Sequence, residues 1–92
     1  MCTGIVETAE VSGSGKGSHG WFKLEQVNVS YDHPVDASFE HALNIDFVNP
    51  KEGPRARVAV ELNPDSARKL VAVILTALSR GEQAGTSAVM TS

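Results

Sequence analysis

Between Ala56 and Leu62 apolar and polar residues alternate, with Val58, Val60 and Leu62 on one face and Arg57, Ala59 and Glu61 on the other. A period of two predicts a strand with one face covered. The preceding run repeats the pattern: His41, Leu43, Ile45 and Phe47 share a face, and Glu40, Ala42, Asn44 and Asp46 the opposite one. A histidine therefore stands in line with core residues. From Trp21 to Asp32 the alternation is clean only in the second half, where Val27, Val29 and Tyr31 lead on to His33. Phe22 and Leu24 join that face only through a β-bulge, expected near Glu25–Gln26. A first strand, roughly Thr3 to Val11, is apolar without a decisive facing. The breaks Gly13–Gly20, His33–Ser38 and Asn49–Pro54 separate these four strands.

After the fourth strand the period changes. Asn63 can cap a helix, Pro64 is tolerated at its first position, and Asp65 complements the positive end of its dipole. Ala67, Leu70, Val71, Ile74, Leu75 and Leu78 then recur at steps of three and four, and Gly81 reads as a stop. The order β-β-β-β-α predicts an α+β fold: a four-stranded, mostly antiparallel sheet with one C-terminal helix packed on one face. Residues 1–81 form the expected single domain and 82–92 a flexible C-terminal tail. One helix covers one side of a sheet, so a homodimer is the simplest way to close the other.

Strand register leads to chemistry. If the second and third strands form a hairpin with Val27 opposite Phe47, Val29 opposite Ile45 and Tyr31 opposite Leu43, then His33 falls opposite His41. An antiparallel first hairpin, turning in the glycine-rich loop, brings the N-terminus and Cys2 to the same end of the sheet. Thiolate and imidazole suit zinc, copper, iron or nickel. Removal of Met1 would add an α-amine to the Cys2 thiol, able to chelate or attack. The expected metal set is His33, His41 and Cys2, with Asp32 beside it. The expected catalytic set is His33, His41, Cys2, Tyr31 and Glu40, where an imidazole could instead act as general base.

Composition narrows the field. The chain has 92 residues, 8 Lys+Arg against 11 Asp+Glu, and 41% apolar residues, so its charge of −3 offers no general attraction for nucleic acid or anionic membranes. One cysteine excludes an internal disulfide, and neither a spanning segment nor a signal peptide is evident, giving a cytoplasmic expectation. The Gly13–Gly20 stretch GSGKGSHG lacks the spacing of a phosphate-binding loop and reads as a flexible hairpin loop or lid, with His19 in solvent.

The segments Met1–Glu7, Gly13–Gly17, Tyr31–Pro34, Glu40–Leu43 and Ile45–Pro50 resemble those of a family of small uncharacterised actinobacterial proteins, over about residues 1–80. The resemblance implies a single domain of bacterial origin and brings no activity with it. The opening Cys2-Thr3-Gly4-Ile5-Val6 is faintly similar to the start of glutamine amidotransferases, but Thr3 interrupts that motif and the chain is too short for their fold. The functional expectation is a small metal-dependent enzyme or metal-binding protein acting on a small organic molecule, by hydrolysis, hydration or isomerisation. The alternative is a non-catalytic dimeric ligand-binding or protein-interaction module.

Overall fold

The computed structural model describes residues 4–36, 38 and 40–88. Four strands, β1 (Ile5–Gly17), β2 (Gly20–Asp32), β3 (Ala42–Val48) and β4 (Arg57–Leu62), form one antiparallel sheet in the order β1-β2-β3-β4. The helix α1 (Pro64–Ala88) follows. The fold is α+β, with the element order that the change of hydrophobic period predicts.

The register of β2 on β3 is the expected one: Val27 pairs with Phe47, Val29 with Ile45 and Tyr31 with Leu43. β4 continues the same rows, setting Val58 against Phe47, Val60 against Ile45 and Leu62 against Leu43. Paired residues share a face, so the apolar rows lie on one side of the sheet and Ser30, Asn44 and Glu61 on the other.

The first hairpin differs from expectation in two respects. Most of the Gly13–Gly20 segment is strand, because β1 extends to Gly17 and the turn is only Ser18–His19 between the paired glycines Gly17 and Gly20. The glycines serve packing as well as turning. A Cβ at Gly17 would lie 3.1 Å from the Arg57 carbonyl oxygen and one at Gly15 3.5 Å from Val58 Cγ2, so the distal hairpin approaches the start of β4. The bulge is present at the expected level, but its extra residue is on β1. Register shifts between Glu10 and Gly13, placing Val11 and Ser12 opposite Glu25.

Between β3 and β4 a single 3-10 turn, Pro50–Glu52, is capped by Asn49, whose Oδ1 accepts from the Lys51 amide. Asn49 is 3% exposed and donates through Nδ2 to the Lys23 carbonyl and to Glu52, both at 3.0 Å. One side chain thus ties β2 to this connection.

At the start of α1 Asn63 Oδ1 accepts from the Ser66 amide at 2.8 Å, the expected cap. Two expectations are corrected beyond it. Gly81 does not stop the helix, since no proline follows and Glu82, Gln83 and Ala84 are compatible with helix; a lone interior glycine costs only about 1 kcal/mol. Nor does the apolar stripe lie across a sheet face. Ala67 is buried at 7% exposure, but Ile74 is 47% and Leu75 62% exposed, and Leu70, Val71 and Leu78 are exposed too. The buried residue of the helix, Ala67, lies in its first turn and the apolar residues beyond it are exposed, in a molecule with a long axis of 51 Å. The buried apolar residues among those described are Ala42, Ile45, Ala56 and Ala67.

Candidate functional site

The β2–β3 ladder ends at Asp32 and Ala42, and the next step outward is His33 and His41. Their rings stack with centroids 5.5 Å apart and planes 18° from parallel. Tyr31 extends the stack, its ring 5.5 Å from that of His41 at 15°. Three aromatic rings therefore line one rim of the sheet, with His33 exposed and the other two half-buried. The juxtaposition follows from register, because Tyr31 and His33 alternate down β2 onto the face that His41 shares.

Local hydrogen bonds orient the exposed ring. His33 Nδ1 donates to the Glu40 carbonyl at 3.1 Å, leaving Nε2 as the outward nitrogen. Asp32 Oδ1 accepts from the His33 amide at 2.7 Å, so this carboxylate supports the backbone beside the ring. Glu40 contributes its carbonyl, and its residue is exposed. The face-to-face stacking sets the two imidazole lone pairs in nearly parallel planes.

Among the described residues no three His, Cys, Asp or Glu side chains form a group that could hold a metal. Cys2, the expected third ligand, lies outside the described residues. The chain enters β1 with Ile5 opposite Tyr31, the sheet end that carries the histidines. His19, at the opposite end of that hairpin, has its Nδ1 3.0 Å from Ser18 Oγ.

The other sheet face holds a feature that the sequence reading missed. An open concavity of about 690 Å³ is bordered by Ser30, Asn44, Asp46, Arg57 and Glu61 together with Val35 and Asp36 of the β2–β3 connection. Glu61 organises one wall, accepting from the amides of Val35 and Asp36. Arg57 is held by Asp46, with Nη2 2.8 Å from Oδ1. Asn44 Oδ1 is buried without a hydrogen-bond partner. The signal was available in the register, which aligns Ser30, Asn44 and Glu61 in one polar row, but alternation alone marks such a row as the wet side of a strand.

A family of unknown function, DUF6295, matches over residues 1–87. The chain belongs to this family. No curated protein and no solved structure matches the DUF6295 chain. Among its described residues no helix is long and apolar enough to cross a membrane.

Proposed function

We propose that the chain is a non-catalytic assembly module that engages protein through the apolar stripe of α1. The observation that carries this reading is the exposure of that stripe: Leu70, Val71, Ile74, Leu75 and Leu78 are all solvent-facing in a helix whose contact with its own sheet ends near Ala67. Contiguous exposed apolar surface marks an interaction site, and an amphipathic helix reading i, i+4, i+8 supplies anchors at one spacing. The test is cross-linking in cells of the native host with the full chain, wild type against Ile74→Asp. Loss of the cross-linked species, with circular dichroism of the purified variant unchanged, supports the module. An identical cross-linking pattern refutes it.

A second reading is favoured by the orientation of His33. An imidazole whose Nδ1–H is held by a backbone carbonyl is arranged as metal-ligating histidines are, with Nε2 free to coordinate. Under this reading His33 and His41, joined by Cys2, bind zinc, copper, iron or nickel, and a metal-dependent step on a small organic molecule takes place at the rim. Titration calorimetry of tag-free protein with Zn²⁺, Cu²⁺ and Ni²⁺ separates the readings. Binding abolished in His33→Ala and His41→Ala supports the metal, and absence of heat with every ion removes it.

A further inference from the structure

We propose that the occupant of the α1 stripe is a second copy of the same chain, the two helices pairing antiparallel about a two-fold axis at Ile74. The inference rests on the assembly-module reading and names its partner.

Surface area is the first argument. The chain exposes 6892 Å², whereas a compact monomer of 9.8 kDa exposes roughly 5,200 Å². The surplus of about 1,700 Å² is twice the roughly 800 Å² that each partner contributes to a standard interface. The radius of gyration agrees: 15.8 Å, against about 12 Å for a compact chain of this length. A helix of 25 residues is about 37 Å long, enough to present the whole stripe to a partner.

The stripe is also self-complementary. At 100° per residue Ala67, Leu70, Ile74, Leu78 and Gly81 lie close to one line along α1. Read in either direction the line runs small, leucine, isoleucine, leucine, small. An axis at Ile74 sets Ile74 against itself and Leu70 against the partner's Leu78, all exposed in the single chain. An interface in which residue i meets j and j meets i is what a two-fold dimer requires.

Charge supplies the third argument. Arg68 and Glu82 flank the stripe on the same side, one near each end. Antiparallel helices bring like flanks together, so Arg68 of each copy, which also pairs with its own Asp65 at 3.3 Å, lies on the flank of the partner's Glu82.

The test uses the purified full-length chain. Sedimentation equilibrium at about 10–100 μM should give twice the 9.8 kDa chain mass. Ile74→Asp should return the mass to one chain, while Thr76→Asp, on the far side of the helix, should leave it doubled. In a Cys2→Ser background, Ile74→Cys should be joined to its partner by a short bis-maleimide, and Thr76→Cys should not. A wild-type mass of one chain across this range overturns the pairing, as does a doubled mass that Ile74→Asp leaves intact. A monomeric purified chain whose cross-links in cells still depend on Ile74 would overturn self-pairing and leave the module reading standing. Loss of both signals would remove both.

Discussion

Replacing Asn49 by alanine should unfold the molecule at a markedly lower temperature, because this buried side chain is bonded on three sides. Losing the cap of the 3-10 turn costs about 1 kcal/mol. The Lys23 carbonyl then loses its donor at a half-buried position, which adds about 1–2 kcal/mol. The sum of about 2–3 kcal/mol corresponds to a fall in Tm of roughly 10–20 °C for a domain of this size. Asn49→Asp sharpens the reasoning. It keeps an acceptor for the Lys51 amide but loses both donors and sets a carboxylate against the Lys23 carbonyl and Glu52, so it should be at least as damaging as alanine. Thermal melts by circular dichroism at one fixed protein concentration measure both, the fixed concentration removing any contribution from association. If both variants melt within about 3 °C of wild type, side-chain tethering is not what holds β2 to the β3–β4 connection.

Other substitutions probe separate parts of the structure. Gly17→Ala should destabilise by about 1–3 kcal/mol in a urea titration, since its methyl group would stand 3.1 Å from the Arg57 carbonyl oxygen and 3.3 Å from Phe22 Cε1. Asn63→Ala removes the α1 cap and should cost about 1 kcal/mol, read from the same titration. Asp46→Asn breaks a largely exposed pair with Arg57 and should cost less than about 1 kcal/mol, an effect that 1 M salt erases. His33→Asn removes one ring of the rim but should leave the Tyr31–His41 contact and the sheet intact, because the β2–β3 ladder ends before His33, and strand signals in circular dichroism will show it.

The sheet was legible because three of its strands carry an in–out alternation that a slip of one residue would reverse. The same alternation places His33 beside His41, so the rim is a direct product of register. The first hairpin was harder to read, because glycine serves equally in turns and in strands that another backbone approaches. At Gly15 and Gly17 the nearby atoms belong to Leu24, Phe22 and the start of β4, and the link with β4 is not local. The helix start was legible from Asn63 and Pro64, while its end was obscured by Gly81, whose helical cost its neighbours outweigh. An apolar stripe tells that a helix wants cover. It does not tell whether the chain's own sheet supplies that cover, and here the stripe stays exposed. The polar concavity beside Glu61 depends on the β2–β3 connection reaching over to β4, a contact between Val35, Asp36 and Glu61 with no local sequence signature.

β1, thirteen residues long, is an edge strand of the sheet with β2 as its ladder partner. Such an edge invites growth into fibres. Here the Val11–Ser12 irregularity breaks the edge, the glycines beyond it weaken strand propensity, and Glu7 and Glu10 charge what remains. The hairpin's spacing toward β4 and its resistance to runaway stacking in a crowded cell are thus served by the same few residues, so replacing those glycines with β-branched side chains should turn a discrete molecule into insoluble aggregate.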